Sequence, residues 1–486
     1  MDDNNEKPVE NQTEPETVYQ NTPDEGPVQI EEVAPEVDAP DEVLEPVDTS
    51  PPVYHESKNQ YLIIILGAVF FVVILFFIIR GIFGGAAKKE VTLQYWGLWE
   101  DEQVIKPLID LYVQKNPNIK IQYQKMSPIS YREKLLARSQ AKAGPDIFRF
   151  HNTWLPSIKE IVSPLPSSIM SGNEFDKTFY PVAKSDLKVG NFYYGIPLMI
   201  DSLVLVYNEN LFKKAGVEIA PSTWDDITEI VPRLTVKDRG GQLITSGIAI
   251  GTTSNIEHFS DIFGLLLVQN GGSISKLDSP EAAGALEIYR KFSEMPQGYW
   301  SDEMPNSLTA FIQEKVAMII VPSWQILSIK AANPDIELKV VPVPSVPGSE
   351  QVSLATYWVE GVSKYSLNQI EAWKFLRFLS EKDNLTKLYE IESRVRPFGE
   401  PYSRVDLAPL LSQNEYIGPV IKQANNLVSE PLMSRTYDNG LNDEIVKYIE
   451  NAINSTIQGV SYSEALKTAM SGVSQVFQKY GIEISN

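Results

Sequence analysis

Cysteine is absent from all 486 residues, and histidine occurs only three times. Without thiols there can be no disulfide, thiolate metal site, cysteine nucleophile or cysteine for lipid attachment, while the redox compartment stays open. His55, His151 and His258 show neither metal-ligand nor triad spacing, and "HESKN" at His55 ends on Asn59 and is no zinc-helix motif. A phosphate-cradling glycine loop is also missing, since Gly240-Gly241 and Gly271-Gly272 read as turns. No internal repeat of 20 to 50 residues is evident, which argues against a solenoid. The expectation is therefore no metal and no cofactor.

Basic charge is scarce at one end of the chain. Of a formal net charge of −21, residues 1–60 hold 17 acids against two lysines. What remains is close to balanced, so nucleic acid and anionic membrane surfaces are not expected ligands. The acidic stretch repeats Asp or Glu, Val and Pro without helical or strand period, and nine prolines precede Tyr54. Residues 1–57 read as a disordered tail.

Charge vanishes between Leu62 and Ile79. As a helix this run would rise about 27 Å, close to the hydrocarbon thickness. Residues 58–83 read as one transmembrane anchor, too long and too far from the start for a cleaved signal peptide. A short linker, 84–90, would hold the rest within about 25 Å of a bilayer. Arg80, Lys88, Lys89 and Lys106 follow the run while only Lys58 precedes it, which by charge bias alone places the large domain in the cytoplasm.

From Val91 to the end the chain reads as α/β. Short runs such as "VTLQYW", "IKIQYQ" and "LKVVPVP" alternate with amphipathic stretches such as "VIKPLIDLYVQKNP" and "IEAWKFLRFLSEK". Asn208 or Asn210 can cap a short helix that stops at Gly216, and Thr223 with Asp226 has capping-box spacing. One residue resists this grammar. Asp201 interrupts the apolar run "GIPLMIDSLVLVYN", where a carboxylate is costly unless it is paired or wet.

The stretch "YYGIPLMIDSLVLVYNENLFKKAGVEIAPSTWDDI" resembles the signature of the family 1 extracellular solute-binding proteins of ABC importers. Further blocks match in order: "VTLQYWGLWEDE", "GPDIFRFHNTW", "SGIAIGT", "TAFIQEKVAMIIVPSW", "EAWKFLRFL" and "NAINSTIQGVSYSEALKTAM". The resemblance covers 91–486. It implies a two-lobed periplasmic-binding-protein-like (type II) α/β fold with hinge crossovers, following the acidic tail and the transmembrane helix. Lobe 1 would comprise about 91–200 plus 345–395, and lobe 2 about 201–344 plus 396–486. Crossings are implied near Met199 to Ser202, Val343 to Ser345 and Arg394 to Gly399.

A cleft between such lobes gives Asp201 a role as hydrogen-bond acceptor for a ligand's hydroxyls, beside the alternative that it caps a neighbouring backbone group. Carried over position by position, the resemblance implies ligand contacts from Trp96, Trp99 and Glu100 in the first loop and Phe150, Asn152, Thr153 and Trp154 in the second. Trp324 in "VPSW" follows as an aromatic against the ligand, with Trp358 and Arg396 placed by loop context. A sugar presents apolar C–H faces and a rim of hydroxyls, which aromatic plates and planar polar groups match. Each tryptophan has packing as its alternative, and Trp224, Trp300 and Trp373 are assigned to packing outright. Where maltose-binding relatives carry an acid and an arginine, this chain has Thr153 and Trp154, which argues against maltose itself.

The function implied is a monomeric, membrane-anchored extracellular binder that captures a carbohydrate and delivers it to ABC permease subunits, with its tail cytoplasmic. An anchored sensor or adhesin is the second reading. An anchored glycosidase is the third, and no enzymatic activity is expected.

Overall fold

The computed structural model describes residues 64–75 and 89–483. The chain divides into two units, Met1–Gly85 and Ala86–Asn486. In the first, residues 64–75 are helical with every side chain exposed. Among the described residues no helix is long and apolar enough to cross a membrane. The tail 1–57, the remainder of the expected anchor 58–83 and most of the linker 84–90 lie outside the described residues.

The second unit is built on two sheets of five strands. The first holds β1 (Val91–Gly97), β2 (Ile119–Lys125), β3 (Ile147–His151) and β4 (Ile196–Pro197), joined late in the chain by β10 (Trp358–Val362). Its order is β2-β1-β3-β10-β4. β1 runs parallel to both β2 and β3, and β10 lies antiparallel to β3 with Trp358 opposite His151. The second sheet holds β5 (Leu203–Asn208), β6 (Val236–Lys237), β7 (Leu243–Ile248), β8 (Val316–Pro322) and β9 (Leu338–Val341), ordered β9-β5-β8-β7-β6.

Central strands of both sheets are buried on both faces, which explains their near-continuous apolar runs: every residue of β3 and of β8 is buried. Helices cover them with one apolar stripe each. Glu102–Lys115 buries Val104, Ile105, Leu108, Ile109 and Tyr112, a repeat of about 3.6 residues. The expected local signals hold. Asn208 accepts from the Leu211 N–H at 2.9 Å, Gly216 takes a left-handed φ of 66°, and Thr223 and Asp226 close a capping box. Trp224, Trp300 and Trp373 are all core residues.

Three segments run side by side between the sheets. Ser202 pairs with Ala355 and Met199 with Tyr402, and the Ile200 N–H donates to the Pro401 carbonyl. The expected crossing at Val343 to Ser345 behaves differently: Ser345 pairs with Thr223 and exchanges backbone bonds with Ser222 and Trp224. The chain reaches the first sheet only through Ser353 to Trp358. Gln423 ties the junction together by donating to the Ser202 hydroxyl at 2.7 Å and the Leu203 carbonyl at 2.6 Å.

β7 approaches the helix Trp224–Leu234 at Gly247, where a Cβ would lie 2.7 Å from the Val231 carbonyl oxygen and 3.0 Å from its Cα. Backbone atoms cannot swing aside. Gly247→Ala should cost about 1–3 kcal/mol by overpacking, read from the midpoint of urea unfolding. An unchanged midpoint would show that the helix shifts freely on the sheet.

Candidate functional site

A cavity of about 240 Å³ lies where the two sheets face each other across the crossing segments. Trp99, His151 and Trp358 reach it from the first sheet. Met199, Asp201, Thr356 and Tyr357 come from two crossings, with Arg396 and Glu400 from the third. Trp324, Leu327 and Ser328 follow β8, and Ser434, Arg435 and Tyr437 belong to a loop near the C-terminus. A wider depression of about 410 Å³ between Pro107 and Arg394 has no aromatic side chain in its lining, so the smaller cavity is the better ligand site.

Asp201 is almost completely buried, and its partners explain how it survives there. Its carboxylate accepts the Ser202 N–H at 2.7 Å and the Ser323 and Trp324 N–H groups at 3.3 Å each. The last two open the helix Gln325–Ala332, so the acid on a crossing segment caps a helix that follows β8 and sits on its positive end. Capping and cavity lining coexist in this one residue. Burial, reinforced by the charge of Glu400, still pushes its carboxyl up to about 7.

The rings form a connected wall. Trp358 meets Trp99 at 5.4 Å between centroids, His151 at 5.2 Å and Trp154 at 5.5 Å, and Trp99 also meets Tyr437 at 5.9 Å. Trp324 stands edge-on to His258 at 5.8 Å. His151 is neutral near pH 7, because burial drops it to about 3, and its two nitrogens meet the hydroxyls of Thr153 at 2.9 Å and Thr356 at 3.1 Å.

Trp99 has a left-handed φ of 68°, unusual for a bulky residue. The turn around it is pinned from below. Arg149, fully inside the protein, bonds the Leu98 carbonyl at 3.0 Å, Glu360 at 2.6 Å and also Glu100. Tyr123 donates to the Glu100 carbonyl at 2.8 Å. Burial opposes the charge on Arg149, but the two carboxylates more than offset it and hold its pKa well above the usual value.

The sequence profile of the bacterial extracellular solute-binding proteins matches residues 96–385, more than half of the chain. The chain belongs to that family. Among curated relatives it is 26% identical over 271 residues to the maltodextrin-binding protein of Bacillus subtilis, covering 52% of this chain and 61% of that one. It is 25% identical over 289 residues to a putative binding protein of Brucella abortus, covering 57% and 68%. Among solved structures, a cyclo/maltodextrin-binding protein complexed with maltotetraose superposes with a TM-score of 0.66 at 21% identity, over 81% of this chain and 99% of that one. The cyclic α-maltosyl-1,6-maltose binding protein of Arthrobacter globiformis gives 0.67 at 19% identity, over 80% and 99%. Those structures establish the two-lobed fold. The family and its structural neighbours are binding proteins and not enzymes, so the glycosidase reading falls.

In this solute-binding protein Asp201, Trp99, Trp324, Trp358 and Arg396 line the cavity. Six other residues expected there do not. Trp96 is in the core with Lys134 over its ring, and Phe150 is sealed beneath the glycines at 195 and 361. Glu100 is spent on Arg149. Asn152 donates to Asp186 at 3.0 Å and Ser429 at 2.9 Å. Thr153 accepts from Asn442 at 2.8 Å, and Trp154 is buried against Tyr131 and Trp358. The physical reason is strand parity and burial: His151, adjacent to Phe150, is the residue of β3 that faces the cavity. Ser434, Arg435 and Tyr437 carried no sequence signal.

Arg149→Met would leave Glu100 and Glu360 buried without their cation, and should cost about 3–5 kcal/mol in urea unfolding. A second expectation concerns pH. Asp201 at about 7 and Asp186 at about 6 are both raised chiefly by burial, against about 3.9 in an unfolded chain. Raised carboxyls favour the folded state while protonated, so their contribution is complete below the unfolded value and is lost as pH climbs through 6 and 7. The melting temperature of the ligand-free protein should fall between pH 5 and pH 8, and Asp201→Asn should reduce the slope. A flat calorimetric profile would mean that both carboxyls ionise freely in the fold.

Proposed function

We propose that this solute-binding protein captures a carbohydrate in the cavity between its sheets and delivers it to ABC permease subunits. The observation that carries this reading is the wall itself. Trp99, Trp324, Trp358 and Tyr437 line it with aromatic rings, while Asp201, Arg396, Glu400, Thr356 and Ser434 line it with polar groups. That alternation suits a pyranose ring better than an amino acid or a phosphate ester. The names of the maltodextrin-binding relative and of the sugar-complexed structural neighbours support the same class.

The rest of the proposal concerns context. The protein acts as a monomer anchored by residues 58–83, with its binding unit outside the cell and the acidic tail in the cytoplasm. Family membership favours this orientation, while the lysine and arginine bias around the run favours the reverse. Protease added to whole cells should degrade the binding unit, and protection would reverse the orientation and end the importer reading.

A thermal-shift screen of the full chain against mono- and oligosaccharides, amino acids, polyamines and phosphate esters tests the ligand class. A ligand at 100 times its dissociation constant stabilises by about 2.7 kcal/mol. Trp324 is half-buried, so Trp324→Ala should weaken sugar binding by about 1–3 kcal/mol and leave the ligand-free melting temperature nearly unchanged. A large loss of ligand-free stability would place Trp324 among the core residues instead. Loss of uptake of that sugar on deletion of the protein separates import from a sensor.

A further inference from the structure

The charges in the cavity wall are unequally satisfied. Its two cations are both occupied: Arg396 lies 3.0 Å from Glu392 and 3.0 Å from Glu400, and Arg435 is paired with Glu257. Each guanidinium already has a carboxylate beside it. Asp201, by contrast, is 3% exposed and lines the cavity with no cation beside it among the described residues; its partners include the backbone N–H groups of Ser202, Ser323 and Trp324. Glu400 lies close enough for its charge to press on Asp201, and burial and that charge together raise the Asp201 carboxyl. A site of this kind gains by taking up a positive charge.

The remaining wall points the same way. Trp99, Trp324, Trp358 and Tyr437 line the cavity, and aromatic ring faces attract cations, most strongly where water is excluded. His151 is neutral and donates no competing charge. At about 240 Å³ the cavity falls below the roughly 300 Å³ at which drug-sized pockets begin, so it suits a small ligand of one or two rings. A neutral hydroxyl would bring Asp201 a hydrogen bond but no countercharge.

We propose that the solute is a sugar carrying a protonated amine, with the ammonium directed at Asp201 and the ring held against the tryptophans. This rests on the carbohydrate reading and narrows it to a cationic amino sugar.

Isothermal titration of the full chain at neutral pH with glucosamine, glucose and N-acetylglucosamine tests it. The three share a ring, and only the first carries a positive charge. Glucosamine should bind about ten-fold or more tightly than either neutral sugar. Asp201→Asn should bring the three within about two-fold of one another, and Glu400→Gln, which leaves the helix cap intact, should reduce the preference in the same direction. Glucose bound as tightly as glucosamine would overturn the amine and leave the carbohydrate reading standing. Heat from none of the three, with the dimer of glucosamine also silent, would overturn both. Should Asp201→Asn fail to fold, the selectivity of the unmodified protein and of Glu400→Gln still decides.

Discussion

Much of this site depends on one buried cation. Arg149 sits inside the first sheet between Glu100 and Glu360, with its guanidinium also on the Leu98 carbonyl. A charge in that place is expensive, and it is tolerated because planar donors meet two carboxylates and a carbonyl at once. What the arrangement secures is geometric. It joins the end of β1 to β3 and to β10, a strand that arrives more than two hundred residues later, and it fixes the turn that presents Trp99. The aromatic wall starts from that turn.

A second constraint comes from the crossing segments. They lie side by side, so residues on them belong to neither sheet alone, and Asp201 shows what this makes possible. Its backbone carbonyl accepts from Thr356 on a neighbouring crossing, while its carboxylate caps a helix that follows β8. A single side chain thereby links a junction, the second sheet and the cavity. The energetic tension visible in the sequence, an acid in an apolar run, is resolved by a helix end and not by a salt bridge.

Local chemistry was the legible part. Asn208, Gly216 and Thr223 act within a few residues of themselves, so their roles follow from spacing alone, and ordered family-like blocks carry the two-lobed architecture. Asp201 was legible for a different reason: its cost demanded an explanation. The failures share a cause. Choosing between Phe150 and His151 requires knowing which face of β3 looks at the cavity, and β3 is buried on both faces, so no alternation marks it. Glu100 resembled a ligand group because its partner, Arg149, is 49 residues away. The loop from Ser434 to Tyr437 joins the wall through tertiary contacts that no local pattern encodes.

That loop has a further property. On one side it is held by Asp261, which accepts the Ser434 N–H, and by Glu257, which pairs with Arg435. On the other, Arg132 of the first lobe donates to the Asp438 carbonyl at 3.1 Å, and Asn442 donates to Thr153. Between these moorings Arg435, Tyr437 and Asn439 already have φ values of 58°, 57° and 43°. The loop is therefore bonded to both lobes, and parting the two sheets would break one set of these contacts. The loop is thus a strap across the cleft, fastened at both ends.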